Sequence, residues 1–521
     1  MGIYLNPGNE LFKMAINSEI YVDKSMLIDI TNRYLSTQQR NICMSRPRRF
    51  GKSMTANMLV AYYSRGCDSK ELFKGLKIEE TKNFEKHLNK YNVISLNIAD
   101  FVQQSDSIDD MVLLIENEII EEIEKDYPDF KIPQKAKLPK ILQLLYIEYK
   151  IPFVFIIDEW DCVYRFFKDN DEENKKYLDF LRALLKDKSY VALNYATGIL
   201  PVKKYGQHSA LNMYDEYSMA EQSLFAEYTG FTDIEVRNLC DKYNMSFDDM
   251  KKWYDGYKVE QYEIYNPRSV VASINNNKFS NYWTKTETFE ALAMYIKLDM
   301  DGLKEKVTTM IAGESVDVDT ITFANDMVTF KTADDVLTLL IHLGYLTYDA
   351  DTKMAWIPNN EVRDEFRASV KTGGYDEVLK SIKLSDELLK ETRLGNAQRV
   401  AEIIEEVHQY NTSIIAYNNE LSLSVTLSLA YYSARNDYEI FKELPTGKGY
   451  ADLTFIPRKN VDAPAMVIEL KYNKNESVAL NQIKAKNYTE KLKAFSGEIL
   501  LVGISYDDNK GHKCVIEKIN K

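Results

Sequence analysis

The chain has 521 residues, of which 45% are hydrophobic and 28% are charged, and its formal net charge is −13. A chain of this length is expected to form two or three domains, each with its own core. The negative charge excludes a general attraction to nucleic acid, so any DNA or RNA contact needs a local basic patch. No signal peptide, membrane-length apolar run or CxxC pair is present, so we expect a reduced, cytoplasmic protein without membrane contact.

The first part of the chain, residues 1–205, alternates strand patterns with helical stretches. The strand patterns lie at 40–44, 92–98, 153–157 and 190–196. Such alternation predicts an α/β domain in which a parallel sheet carries helices on both faces. Ligands of such sheets bind at the carboxyl ends of the strands, so the segments that follow these strands are the candidates for function.

The segment after the first strand, SRPRRFGKSM, ends in the phosphate-binding pattern Gly-Lys-Ser. In such a P-loop, backbone N–H groups surround the phosphates, the Lys reaches the β- and γ-phosphates, and the Ser hydroxyl ligates Mg²⁺. The usual pattern has Gly where this chain has Arg46, so the match is incomplete. We predict a P-loop NTPase domain that binds ATP and Mg²⁺ through Arg46, Arg48, Arg49, Phe50, Gly51, Lys52, Ser53 and Met54.

The three arginines of this loop have three interpretations. Arg46, Arg48 and Arg49 contact phosphates in place of the missing glycine, reach a neighbouring subunit of a homo-oligomer, or pair with acids of this acidic chain. We favour phosphate contact, because three cations in one short loop otherwise repel each other.

Two further strand ends support a nucleotide site. The apolar run FVFII is followed by Asp158 and Glu159, an arrangement in which the first acid holds Mg²⁺ and the second polarises the attacking water. The next strand ends at Thr197, which either senses the γ-phosphate or belongs to an ordinary turn. We predict Ser53 and Asp158 as metal ligands and Glu159 as the catalytic carboxylate of this site.

The middle part, residues 206–390, is predicted to be mainly helical, over 232–243, 246–254, 286–299, 333–343 and 375–391, with a small winged-helix element near 333–358. Its aromatic residues Trp253, Tyr254, Tyr257 and Trp283 are interpreted as core. No function is assigned to this part.

The last part, residues 391–521, returns to mixed α/β patterns. Helices are expected at 396–410, 418–434 and 478–494, and strands are expected at 450–456, 464–470 and 498–504. Asp452 lies on the first of these strands, and Glu469 and Lys471 lie on the next with the i, i+2 spacing that shares one strand face.

These three residues predict a metal-dependent phosphodiesterase centre. Carboxylates such as Asp452 and Glu469 hold Mg²⁺ or Mn²⁺, and Lys471 orients or deprotonates the attacking water. Glu420 on the preceding helix and Gln482 on the following helix are further candidates. The order of helix, strand with Asp, strand with ExK and helix is that of a PD-(D/E)xK nuclease fold, although such residues also occur on ordinary solvated strands.

With both motif groups in hand, the chain resembles bacterial AAA-ATPase-like proteins that carry a C-terminal PD-(D/E)xK nuclease domain. The resemblance runs over nearly the whole chain, and its most specific parts are the string RPRRFGKS and the pair YDGY and YNP. It implies an ATPase module coupled to a nuclease-superfamily module. The matching segments are 21–25, 46–53, 158–159, 197–201, 211–212, 230–236, 253–257, 265–267, 282–283, 447–452, 469–471 and 482–483.

Two functions fit these expectations, beside a third interpretation in which Gly51, Lys52 and Ser53 form a nucleotide-binding scaffold with negligible turnover. The first is an ATPase that regulates a Mg²⁺-dependent nuclease acting on nucleic acid, on DNA rather than RNA. The second is an ATP-dependent switch whose nuclease-like domain binds nucleic acid or a protein without cleaving. The intact Asp452, Glu469 and Lys471 favour the first, whereas the negative net charge favours the second.

Overall fold

The structure is a computed structural model, and it describes residues 2–167, 170–202, 211–220, 224–283, 289–298, 300–325, 327, 329–411, 420–445, 450–459, 461–472, 476–485, 492, 495–507 and 511–519. The chain divides into two compact units. The first unit comprises Met1–Glu287 and Asp317–Asp364, and the second comprises Thr288–Val316 and Glu365–Lys521. The predicted middle domain 206–390 is therefore divided between the units, and the three-domain division stays a prediction. Within the described residues, no helix has the length and apolarity needed to cross a membrane.

The described helices and strands follow each other as in an α/β chain. The helices are α1 Glu10–Ile16, α2 Met26–Tyr34, α3 Lys52–Tyr63, α4 Phe84–His87, α5 Ile98–Val102, α6 Ile108–Asp126, α7 Leu138–Tyr149, α8 Val163–Phe166, α9 Asp171–Leu185, α10 Asp233–Tyr243, α11 Phe247–Tyr254, α12 Pro267–Asn276, α13 Phe289–Ile296, α14 Leu303–Ile311, α15 Ala333–Leu343, α16 Asn360–Ser369, α17 Asp376–Leu394, α18 Ala397–Asn411, α19 Glu420–Ala430 and α20 Glu476–Ala485. The strands are β1 Asn41–Ser45, β2 Asn92–Asn97, β3 Phe153–Asp158, β4 Val191–Gly198, β5 Asp215–Tyr217, β6 Phe231–Thr232, β7 Tyr257–Val259, β8 Tyr262–Tyr265, β9 Val316–Asp317, β10 Thr347–Asp349, β11 Met354–Trp356, β12 Tyr438–Pro445, β13 Tyr450–Pro457, β14 Ala465–Tyr472, β15 Ile499–Asp507 and β16 Gly511–Ile519.

The central sheet of the first unit is parallel, with strand order β2-β3-β4-β1-β5. Strands β1, β3 and β4 are buried on both faces, which explains why they are largely apolar runs in the sequence. Side chains of alternate positions pack into two separate clusters. One includes residues of α6, α7 and α9, and the other includes residues of α2 and α3. The parallel sheet with helices on both faces is therefore confirmed.

The part of the first unit after this sheet mixes helices with short strands. Helices α10, α11 and α12 each begin at a residue whose side chain accepts from the first turn, respectively Thr232, Ser246 and Asn266. The short strands β6, β8 and β7 form an antiparallel sheet that the sequence did not predict. Helix α15 and the antiparallel β10–β11 hairpin lie in the region expected to hold a winged-helix element.

The second unit contains a mixed sheet with strand order β12-β13-β14-β15-β16, in which only the β14–β15 pair is parallel. One face packs against α17, α18 and α19, and the other packs against α20. The predicted C-terminal α/β domain is confirmed. The expected helix 478–494 corresponds to α20, and its residues 486–491, 493 and 494 lie outside the described part.

A glycine of the first unit is packed directly against the P-loop. Gly344 ends α15 with φ +85°, and an added Cβ would lie 2.7 Å from the Pro47 Cβ and 2.9 Å from the Trp283 ring. Its carbonyl accepts a hydrogen bond from the Tyr257 hydroxyl at 2.9 Å. The end of α15 thus supports the loop that follows β1.

We expect Gly344→Ala to destabilise the first unit more than Gly75→Ala. Gly75 has φ +78°, and no atom lies within 4 Å of an added Cβ. Its substitution therefore costs only the free energy of placing alanine in the left-handed backbone conformation, about 1–2 kcal/mol. Gly344→Ala adds the contact with Pro47, and we expect about 1–3 kcal/mol more. All four tryptophans lie in the first unit, so urea unfolding followed by tryptophan fluorescence measures it. Equal decreases in the free energy of unfolding for the two variants would contradict the close packing of Gly344 against Pro47.

Candidate functional site

The P-loop connects the end of β1 to the first residue of α3. The Arg46 N–H donates to the Gly198 carbonyl at 3.0 Å, which extends the β1–β4 pairing into the loop. Arg49 and Gly51 have φ of +69° and +88°, and α3 begins immediately afterwards at Lys52. The amino end of α3 therefore faces the loop, and its unpaired N–H groups and dipole favour an anion there.

Lys52 is held within the loop that it follows. Its ammonium donates to the carbonyls of Arg46 and Pro47, each at 2.9 Å. Burial lowers the pKa of Lys52 to about 8, although the nearby carboxylate of Asp158 acts in the opposite direction. The lysine predicted to contact phosphates is thus a buried cation beside the amino end of α3.

Phe50 fixes the loop from the other side. Its carbonyl accepts from the Gly230 N–H at 2.8 Å, and its ring meets the Tyr257 ring edge-on at 5.1 Å. Gly230 has φ +87°, and an added Cβ there would lie 2.3 Å from Ile264. Tyr257 was interpreted only as core, and its support of the P-loop together with Gly230 was not predicted from the sequence.

Asp158 and Thr197 meet at the carboxyl edge of the sheet. Since β4 lies between β1 and β3, its last residues are beside both the P-loop and the end of β3. The Thr197 hydroxyl donates to Asp158 Oδ1, which also accepts the Glu159 N–H at 3.0 Å. These contacts orient the carboxylate that is predicted to hold Mg²⁺.

Glu159 adopts a left-handed backbone conformation with φ +50°. Its Oε2 accepts from the Arg165 guanidinium at 2.6 Å. The predicted catalytic acid is therefore engaged by a cation from α8, a partner that the sequence did not predict.

Asp161 is a further positioning residue that the sequence analysis missed. It is fully buried, and its Oδ2 accepts the backbone N–H groups of Ile199 and Leu200 at 3.1 and 3.0 Å. These bonds hold the chain directly after Thr197. The only available signal was its position three residues after Asp158.

The three loop arginines have different positions. Arg46 is buried and donates to the carbonyls of Tyr217 and Ser218 at 3.3 and 3.0 Å, and desolvation lowers its pKa to about 10. This geometry supports a structural role for Arg46 beside β5, and its phosphate contact stays a prediction that the geometry does not favour. Arg48 and Arg49, by contrast, line the cavity beside the loop.

That cavity has a volume of about 630 Å³, within the range of ligand pockets. The P-loop residues Phe50, Gly51, Lys52, Ser53 and Met54 line it together with Glu159. Asp158, Thr197 and Arg46 do not line it. Much of the remaining wall is apolar and is formed by Phe12, Ile20, Tyr21, Val22, Met58, Tyr228, Phe231 and Val271.

The second predicted centre lies on β14. Glu469 is buried and accepts a hydrogen bond from the Lys471 ammonium at 2.9 Å. The register pairs Leu453 with Ile468, and one further step along both strands leads to Asp452 and Glu469. The side chains of Glu420, Asp452 and Gln482, like residues 447–449, lie outside the described part, so their predicted roles stay predictions.

Comparisons with known proteins give two family matches. Residues 9–207 match the AAA-ATPase-like family described as "Predicted AAA-ATPase", and residues 424–516 match the PD-(D/E)XK nuclease superfamily. The chain carries an AAA-ATPase-like domain and a PD-(D/E)XK nuclease superfamily domain. Both resemblances stated from the motifs are thereby confirmed at the level of domains.

Individual relatives are more distant. An "Uncharacterized protein in vnfD 5'region" of Azotobacter chroococcum mcd 1 is 23% identical over 274 residues, so the chain spans about half the length of this curated relative, which in turn covers 51% of the chain. The Aeropyrum pernix ORC2 structure aligns with 11% identity and a TM-score of 0.32, covering 69% of this chain and 98% of its own. The CDC6P structure from Pyrobaculum aerophilum aligns with 10% identity and a TM-score of 0.26, and the alignment covers 71% of this chain and 98% of that chain.

We expect ATP to bind more weakly as the pH rises above about 8. We predict that the triphosphate contacts the Lys52 ammonium, whose pKa is lowered to about 8 in the free protein, so affinity should fall by up to about tenfold per pH unit above that value. Isothermal titration calorimetry between pH 7 and 9.5 measures this. Lys52→Met should bind weakly with little pH dependence, and a flat wild-type profile would contradict the role of the ammonium.

Proposed function

We propose that the chain binds and hydrolyses ATP, and that its nucleotide state regulates Mg²⁺-dependent cleavage of nucleic acid, DNA rather than RNA, by the C-terminal domain. The observation that carries the ATPase part is the meeting of the P-loop, Asp158 and Thr197 at one edge of the parallel sheet. The observation that carries the nuclease part is the contact of Glu469 with Lys471 on one strand of a PD-(D/E)XK domain.

The residues around the P-loop fit a triphosphate with its metal. The amino end of α3 and the Lys52 ammonium supply positive charge, and Ser53 and Asp158 supply the oxygen ligands that Mg²⁺ prefers. Bound Mg²⁺ neutralises charge on the phosphates. Arg48 and Arg49 line the same cavity, which supports phosphate contact for these two arginines.

In the proposed reaction, Glu159 orients and deprotonates the attacking water. Thr197 holds Asp158 by a hydrogen bond and Asp161 holds the chain after Thr197, so both act as positioning residues. Glu159 must exchange its contact with Arg165 for one with water. The apolar wall of the cavity accommodates the nucleoside part of ATP.

In the nuclease domain, Asp452 and Glu469 are proposed to hold Mg²⁺ or Mn²⁺. Glu420 on α19, the helix before the strands, and Gln482 on α20, the helix after β14, are proposed as further residues of the site. The ion activates water and stabilises charge on the phosphodiester. Lys471 is proposed to position that water, and its contact with Glu469 supports a shared site.

A second candidate function is an ATP-dependent switch whose C-terminal domain binds a partner without cleaving it. The net charge of −13 favours this candidate, since it disfavours nucleic-acid binding outside a local patch. Assembly into a homo-oligomer, in which Arg48 or Arg49 reaches a neighbouring subunit, belongs with either candidate.

Glu159→Gln should retain ATP binding and slow hydrolysis about 10²–10⁴-fold, because the amide keeps the shape of the side chain but cannot accept the proton. Phosphate release gives the rate, and calorimetry gives the affinity. Glu227→Gln, an acid of the same unit that does not line the cavity, serves as the control. Unchanged ATP hydrolysis in Glu159→Gln would show that Glu159 has no catalytic role.

Cleavage of double-stranded DNA, single-stranded DNA and RNA should be assayed with Mg²⁺ or Mn²⁺, with and without ATP. We expect DNA cleavage that falls at least about 100-fold in Lys471→Ala and loses its ATP dependence in Lys52→Ala. Lys513→Ala is the matched control, because exposed Lys513 lies in the same row of the sheet, paired with Ser505, the partner of Lys471. ATP hydrolysis without cleavage of any substrate would favour the switch.

A further inference from the structure

Three metal-binding side chains converge in the second unit away from the predicted nuclease centre. Glu405 and His408 lie one turn apart on α18, and His512 lies near the start of β16. One ligand atom from each lies within 4.8 Å of the others. The Glu405 Oε2 is 2.6 Å from His512 Nδ1 and accepts the His512 backbone N–H at 3.1 Å.

The two histidines are buried, whereas the carboxylate is partly open to solvent. His408 is 4% exposed, and the side chains of His512 and Glu405 are 1% and 31% exposed. Each residue of the cluster offers one ligand atom, a ring nitrogen from each histidine and a carboxylate oxygen from Glu405. A neutral imidazole is the form of histidine that binds metals.

We propose that Glu405, His408 and His512 form a Zn²⁺ site. Two neutral imidazoles and one carboxylate are a common protein ligand set for Zn²⁺, with water as the fourth ligand. Bonds of about 2.0–2.1 Å bring tetrahedral ligand atoms to about 3.3 Å from each other. A separation of 4.8 Å, the upper limit here, would close by about 1.5 Å, whereas the 2.6 Å between Glu405 Oε2 and His512 Nδ1 would open by about 0.7 Å. The partly exposed Glu405 carboxylate gives both the freedom for this change and a path of entry.

This site is separate from the Glu469–Lys471 pair because the two lie on opposite faces of the sheet. Cys514 and Ile516 pack with residues of α18, and His512 shares their strand face by alternation. Glu469 and Lys471 share the face of Val467, which packs with Ile483 of α20. An ion bound by the histidines is therefore distinguishable from one bound at the nuclease centre.

The proposed role of the ion is to connect α18 to β16, the last described strand of the sheet. The hydrogen bond between Glu405 and His512 already joins these elements. Zn²⁺ would replace the hydrogen bond between the Glu405 carboxylate and the His512 ring by three coordinate bonds, which stabilises the second unit.

The test uses the full-length, untagged chain after removal of metals with a chelator. Zn²⁺ is titrated in competition with a chromophoric chelator, and Co²⁺ absorption reports tetrahedral coordination. We expect one tightly bound Zn²⁺ per chain and an affinity at least about tenfold weaker in Glu405→Gln and in His408→Gln. Zn²⁺ should raise the melting temperature of the wild type and have a smaller effect in both variants.

Two controls make the outcome specific. Glu402→Gln changes an exposed acid on the same helix, and Glu469→Gln changes the nuclease centre; both should bind Zn²⁺ like the wild type. Circular dichroism checks that each variant is folded without metal. Absence of tight binding, equal affinity in folded Glu405→Gln and His408→Gln proteins, or loss of binding in Glu469→Gln alone would each overturn the proposal.

Discussion

The candidate ATPase site depends on the insertion of β4 between β1 and β3. This order brings the ends of three strands, which are far apart in sequence, to one edge of the sheet. The register pairs Ser45 with Gly198, so the chain after β4 borders the P-loop directly. From there the Thr197 hydroxyl reaches Asp158 on the other neighbouring strand. Asp161 completes the arrangement by holding the N–H groups that follow Gly198.

The unusual composition of the P-loop is explained by the contacts of its side chains with neighbouring elements. Where the common pattern has glycine, Arg46 directs its guanidinium to the carbonyls beside β5 and joins the loop to the edge of the sheet. Pro47 and Phe50 are apolar and buried, and they pack against Gly344, Gly230 and Tyr257. The elements after the parallel sheet therefore support the loop, and Pro47, whose carbonyl accepts from Lys52, is the residue that packs against Gly344.

The parts that were predictable from sequence are those whose signal is local. The strands β1–β4 are largely apolar, and the motif residues lie at or directly after the ends of β1, β3 and β4. The short strands β5–β8 and the strands β12 and β16 were missed, because short or mixed polar segments form strands only through partners distant in sequence. The direction of Arg46, the role of Asp161 and the meeting of Glu405 with His512 also depend on contacts between distant residues, which no spacing rule contains.

The ion pair of Glu159 with Arg165 bears on how hydrolysis could be controlled. With the Glu159 side chain 43% exposed and its partner 14% exposed, a pair of this kind is worth on the order of 1 kcal/mol or less. Such an energy is small beside the binding energy of a triphosphate, so the contact delays the release of the carboxylate without preventing it. The left-handed backbone at Glu159 and the bond from its N–H to Asp158 hold the main chain, so the carboxylate leaves Arg165 by rotation of the side chain alone. In the proposed reaction, this rotation exchanges the contact with Arg165 for one with the attacking water.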